Sequence, residues 1–199
     1  MHDRSAREAI RQAAIELFAE KGFAATSTRE ICERARVTKP VLYYHFESKD
    51  QLYRELLLDA CNESRKQILL AAQRGKTVRE KLTEVLAAEF ELTRKNPSLS
   101  VLFFRVLFAP RREAPNLDYV QLGKEWLSVL AGIVTEGIER GEIRGSALAI
   151  AEALTGIQMI YTLGYLLAGE PPLDRNLARR IVDLLFDGCS VNPTGRKAK

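Results

Sequence analysis

Histidine is nearly missing from this chain: only His2 and His45 occur among 199 residues. That scarcity leaves no pair of imidazoles for a metal site or for a Ser/His or Cys/His nucleophile arrangement. The three cysteines, Cys32, Cys61 and Cys189, are far apart and odd in number, with no CxxC. They exclude a disulfide framework and a zinc module, and read as reduced thiols of a cytoplasmic protein. There is no GxSxG, phosphate loop, HExxH or dinucleotide fingerprint, so the common enzyme motifs are absent and no cofactor or metal is expected. Glu84 with Glu89 or Glu91 is the one suggestion of paired carboxylates, but Lys81, Arg94 and Lys95 nearby make it read as a solvated charged face. Neither sign of charge dominates: 30 Lys and Arg stand against 26 Asp and Glu, for a net charge of +4. That balance permits a polyanionic partner without demanding one. The N-terminus MHDRSAREAIRQ lacks the apolar run of a signal peptide.

No stretch shows sustained strand alternation, and almost every segment shows helical period, so an all-α chain of about nine helices is predicted. The first runs from about Ser5 to Lys21 with Ile10, Ala14, Leu17 and Phe18 inward, ended by Gly22. Ser27-x-x-Glu30 is a capping box for the second, with Ile31 and Ala35 inward. Arg36-Val37 form the turn. Thr38 caps the third, with Pro40 in its first turn and Val41, Leu42 and Phe46 as its apolar positions. Ser48-x-x-Gln51 opens a long fourth helix reaching Ala72, and Thr77-x-x-Glu80 a fifth. A sixth follows Asn96-Pro97 to about Phe108, then a polar loop from Pro110 to Pro115. The seventh runs from about Leu117 to Arg140, and Asp174 caps the ninth. The eighth, within residues 147–169, is long enough to span a membrane, but Glu152 and Gln158 interrupt it and no second span or basic flank accompanies it. It reads as a helix buried within protein. Residues 192–199 read as a disordered basic tail.

Residues 26–52 carry the most information: two short helices, a tight turn and the capped start of another, with Lys39, Tyr43, Tyr44 and His45 on the second. That is helix-turn-helix grammar, and it points to duplex DNA. Adjacent helical positions diverge by roughly 100°, so Tyr43 and Tyr44 cannot both be core. The segment resembles the TetR family of bacterial transcriptional regulators. The likeness lies in Gly22-Phe23, Thr26-Ser27-Thr28, Ile31, Ala35, Val37, Lys39, Leu42-Tyr43, His45-Phe46, Ser48-Lys49 and Leu52, and later in residues 137–143, GIERGEI. Two positions depart from the family pattern: Arg36 where Gly is usual, and Pro40 where Gly is frequent. If residue 36 is left-handed, Arg costs roughly 1 kcal/mol that Gly does not.

The resemblance and the helix geometry together imply roles. Thr28, Tyr43 and Lys49 are expected on phosphates, Lys39, Val41 and Tyr44 on base edges, with Thr38 and Pro40 at the helix start beside them; Arg29 and His45 suit either purpose. The resemblance further implies a DNA-binding domain over 1–50, and a helical ligand-binding and dimerisation domain over 51–191. Its small, apolar or aromatic effector would meet Phe90, Phe103, Phe104, Phe108 and Trp126, with Gln158, Met159 and Tyr161 from the eighth helix. A homodimer would form through the last two helices, using Leu177, Ile181, Leu184 and Leu185, and would present two heads to a palindromic operator. The fourth helix, shared by both domains, would be the lever of a ligand-released repressor. The competing expectation is an apolar-ligand or interaction protein that has lost DNA binding, kept open by Arg36. No membrane partner and no enzymatic activity are expected.

Overall fold

A computed structural model describes residues 2–108 and 118–188, and among them every regular element is a helix. The order is α1 (His2–Lys21), α2 (Thr28–Ala35), α3 (Lys39–His45), α4 (Lys49–Ala72), α5 (Val78–Lys95), α6 (Pro97–Phe108), α7 (Tyr119–Glu139), α8 (Ala147–Ala168) and α9 (Arg175–Asp187). This is the predicted all-α class and helix sequence. Cys189, the 110–115 loop, Leu117 and the 192–199 tail lie outside the described residues.

Helix starts follow the capping signals. Ser27 and Glu30 form the full reciprocal box on α2. At α4, Ser48 Oγ accepts from the Gln51 amide at 3.1 Å, while Gln51 Oε1 reaches one residue further back, to the Glu47 amide at 2.6 Å. Thr77 and Glu80 exchange bonds ahead of α5, and Asp174 accepts from the Leu177 amide at 2.7 Å at the start of α9.

The chain divides into two compact units, Met1–Ile68 with Glu89–Trp126, and Leu69–Ala88 with Leu127–Lys199. In the first, Ile10, Ala14, Leu17 and Phe18 of α1, Ile31 of α2, and Leu42 and Phe46 of α3 and its end are all buried. Leu52, Tyr53, Leu56 and Leu57 of α4 join the same core, and so do Leu102 and Val106 of α6. Each large aliphatic or aromatic side chain buried this way contributes ~1.5–3 kcal/mol. The three short helices therefore hold their shape through α4 and α6.

In the second unit, ion pairs join α5 to its neighbours. Arg79 bonds Asp183 at 2.8 Å and Asp187 at 2.5 Å, Lys81 bonds Glu136 at 2.7 Å, and Arg175 holds Glu84. Gly137 explains part of the GIERGEI phrase: a Cβ there would lie 2.8 Å from a Val78 methyl, so only glycine lets α7 approach α5 this closely. On α8 the buried residues are Ala151, Leu154 and Thr162. α8 is long and apolar enough by length and composition to cross a membrane, with 17% of that window buried. The expected burial of this helix is thus not met within one chain. The open positions include Leu148, Ile160 and Leu167.

Candidate nucleic-acid interface

The interface is built on α3, seven residues long, or ~10 Å. Leu42 and Phe46 are buried one turn apart and anchor the helix to α1 and α4. The opposite face carries Lys39, Pro40, Tyr43 and Tyr44, all exposed, Tyr44 by 76%. Those positions are one strip of helix surface, about the width that B-DNA's major groove admits. Both tyrosines face out, so neither serves the core.

Thr38 stands at the N-cap with extended backbone, but its hydroxyl makes no capping bond, which corrects the expected cap. The cause is local: Pro40 occupies the second helical position and has no N–H, removing one of the two donors an N-cap hydroxyl uses. Thr38 is exposed beside Lys39. Val41 is partly buried and packs against the core, which leaves part of its surface for the base edge expected of it. His45 is half-buried, its ring 5.1 Å from Tyr44 and 6.3 Å from Phe46.

The α2–α3 turn keeps its form despite Arg36. The residue is left-handed, φ 55° and ψ 42°. Its amide reaches Glu33 O at 3.3 Å and the Val37 amide reaches Cys32 O at 3.0 Å. The last carbonyls of α2 are therefore satisfied as glycine would satisfy them. On α2, Thr28 begins the helix half-buried and Arg29 is exposed, its Nε 2.8 Å from Glu33. Both partners are open to solvent, which screens the pair, so phosphate can replace Glu33 at little cost. Lys21, with the Ser27 amide and hydroxyl, pulls the Glu30 carboxyl down to about 2, keeping the α2 box charged.

Lys49 departs from expectation. Its ammonium lies 2.8 Å from Phe23 O and 2.7 Å from Thr26 O, and 4.2 Å from the centroid of the Phe23 ring. Burial pushes its pKa down. The side chain is held at the α1–α2 turn, a placement the expected phosphate contact did not include. Two residues escape sequence reasoning. The Thr26 hydroxyl is buried, 2.8 Å from Gly22 O and 3.2 Å from Leu17 O; its place in the family-like string was the only signal. Arg105 of α6 donates to Ala19 O at 2.7 Å and Glu20 O at 3.0 Å, capping the end of α1. Nothing in the sequence marks that pairing.

The matched family model, bacterial regulatory proteins of the tetR family, covers residues 10–56, from within α1 to the first turns of α4. The transcriptional repressor KstR2 of Mycolicibacterium smegmatis is 31% identical over 144 residues, spanning 70% of this chain and 68% of that protein. The chain belongs to the TetR family. It is a DNA-binding transcriptional regulator. The fatty acid metabolism regulator protein of Bacillus subtilis is 28% identical over 139 residues, 68% of this chain and 69% of its own. The first relative is named as a transcriptional repressor and the second as a regulator of fatty acid metabolism. The fold matches FadR from Bacillus subtilis in complex with stearoyl-CoA at a TM-score of 0.76 and 23% identity, covering 92% of this chain and 99% of that one. It matches AibR in complex with isovaleryl coenzyme A and operator DNA at 0.69 and 20%, covering 91% and 98%.

The expected effector-site residues separate. Phe90 is fully buried, as ordinary core packing, the competing reading for each of these residues, would place it. Phe104 and Trp126 are partly buried, whereas Phe103 and Phe108 are exposed, Phe108 by 75%. All five fall in the first unit; Gln158, Met159 and Tyr161, partly buried on α8, fall in the second. Leu177 and Ile181 are buried within the single chain, so their expected role at a subunit interface is corrected. They lie on the face of α9 packed inside its own unit; Leu184 is exposed and Leu185 half-buried. Glu89 also departs from the solvated face. Ser64 Oγ donates to it at 2.7 Å, and burial pushes its carboxyl up to about 7. Glu91 keeps its expected surface place, 2.8 Å from Lys95. Among the described residues no His, Cys, Asp or Glu cluster could hold a metal ion. Burial pushes the Cys32 and Cys61 thiols up, away from thiolate reactivity.

Proposed function

We propose that this chain is a homodimeric repressor that reads a palindromic operator with α3 and releases it on binding an acyl thioester. The observation that carries the reading is the exposed strip of Lys39, Pro40, Tyr43 and Tyr44 over the buried Leu42 and Phe46. Lys39 and Tyr44 meet base edges near the helix start, while Tyr43, with Thr28 and Arg29 at the start of α2, meets phosphates. Thr38, with its uncommitted hydroxyl, joins the contacts at the groove edge. Residues 1–50 act as the DNA head and the rest serves ligand and dimer, in the cytoplasm where the operator lies. The intact turn at Arg36 removes the support for a protein that has lost DNA binding.

Dimerisation is supported by the open apolar positions of α8 and by Leu184 of α9. The acyl-thioester class is supported by the relatives: a fatty acid metabolism regulator, and fold neighbours in complex with stearoyl-CoA and isovaleryl coenzyme A. Phe103, Leu107 and Phe108 offer apolar contact along α6, whose other face lies in the head's core. A ligand there shifts the head only by binding one conformer more tightly than the other. The test has two arms. Selection from random DNA should enrich an inverted repeat with the wild type, and a changed or relaxed half-site with Lys39→Ala. A series of coenzyme A thioesters from short to long chain should raise thermal stability and release the selected operator at matching concentrations. Enrichment unaltered by Lys39→Ala sinks the groove assignment; no stabilisation by any thioester sinks the effector class.

A further inference from the structure

We propose that Lys49 is a positioning residue for operator recognition: its ammonium ties the start of α4 to the carbonyls preceding α2, and so fixes α2 and α3 against each other. An ammonium has three donors and no acceptor. Two of the three are taken by Phe23 O and Thr26 O, at 2.8 and 2.7 Å, and the Phe23 ring lies 4.2 Å from the nitrogen. Two carbonyls and the ring thus hold the ammonium at the turn, with one N–H beyond the two carbonyl bonds.

The placement gives the contact its leverage. Thr26 immediately precedes Ser27, the N-cap of α2, and Lys49 is the first residue of α4, three positions after Phe46 ends α3. One side chain therefore joins the entry of α2 to the exit of α3. The turn it grips is held on its other side by the Thr26 hydroxyl, and the gripped ring packs edge-on against Tyr53 at 5.0 Å. Moving either helix end away lengthens and weakens a bond to the half-buried ammonium.

The inference rests on α3 being the groove helix, and the wild-type control tests that separately: an operator must first be selected. A phosphate contact and a clamp then differ in their salt dependence. Losing one phosphate contact weakens all DNA alike and lowers the slope of log affinity against log salt by about 0.9 per contact. Losing the clamp should cost about tenfold or more on the operator, while non-specific affinity and its salt slope stay at wild-type values. Lys49→Gln reads this difference. Lys49→Arg sharpens it, because a planar guanidinium serves a phosphate as well as Lys does but cannot fill the site between two carbonyls and a ring. Phe23→Leu leaves the ammonium and removes the ring beneath it. Selective operator loss in Lys49→Arg and Phe23→Leu supports the proposal. Full operator affinity in Lys49→Arg, or a reduced slope on every DNA in Lys49→Gln, overturns it. Should Lys49→Gln fail to fold, unchanged operator affinity in Phe23→Leu overturns it instead.

Discussion

Two single residues store free energy that substitution should release. Arg36 holds a left-handed backbone with a Cβ present. Arg36→Gly should therefore stabilise the chain by about 1 kcal/mol, less the extra entropy glycine gives the unfolded chain. Urea unfolding with an unchanged m-value would measure it. A loss of stability would mean that the Arg36 side chain compensates for its backbone. Glu89 is the second case. Its carboxyl, at 4.5 when unperturbed, is raised to about 7 by burial, with the Ser64 bond opposing. The fold thus prefers the protonated form. That preference contributes fully below about pH 4.5 and is lost as pH rises through about 7, for at most roughly 3 kcal/mol. Glu89→Gln should raise the melting temperature relative to wild type at pH 8 and change it little at pH 5. An equal shift at both values would show that Glu89 does not titrate in this range.

The elements differ in how far the sequence discloses them. α3 was legible because its signals are local: Thr38 and Pro40 at the start, Leu42 and Phe46 four apart, Tyr43 and Tyr44 too close in sequence to share an interior. The capping boxes of α2 and α5 were legible for the same reason. Lys49 was not, since its partners lie 26 and 23 residues earlier, in carbonyls that no side-chain pattern encodes. α6 was not, because Leu, Val and Phe fall on most sides of PSLSVLFFRVLF. Only packing reveals that Leu102 and Val106 face the head while Phe103 and Phe108 do not. α9 misled because Leu177, Ile181 and Leu184 fall in line, yet burial divides them. The α3 strip carries its own prediction. Tyr43→Ala should weaken binding to every sequence alike, whereas Tyr44→Ala should also alter the preferred half-site. Binding assays on operator and scrambled DNA, at several salt concentrations, separate the two. The assignment fails if the two variants behave alike.

For the whole molecule, one α3 is too short to specify an operator, so the account needs two copies held about one helical turn apart. Leu148, Ile160 and Leu167 of α8 lie open, with 53%, 62% and 78% of their surface exposed in the single chain. Large open apolar side chains along one helix suit a covering second copy. Ile160→Glu combined with Leu167→Glu should therefore give a folded monomer by light scattering and should abolish operator binding while leaving weak non-specific binding. A dimer persisting in that variant would place the interface elsewhere. The most direct measurement of the central claim is hydroxyl-radical footprinting of the dimer on its selected operator. The account predicts two protected blocks related by an inverted repeat, centred roughly 34–36 Å apart, and loss of half-site preference in the Lys39→Ala footprint. A single protected block, or a pattern that Lys39→Ala leaves untouched, would contradict it.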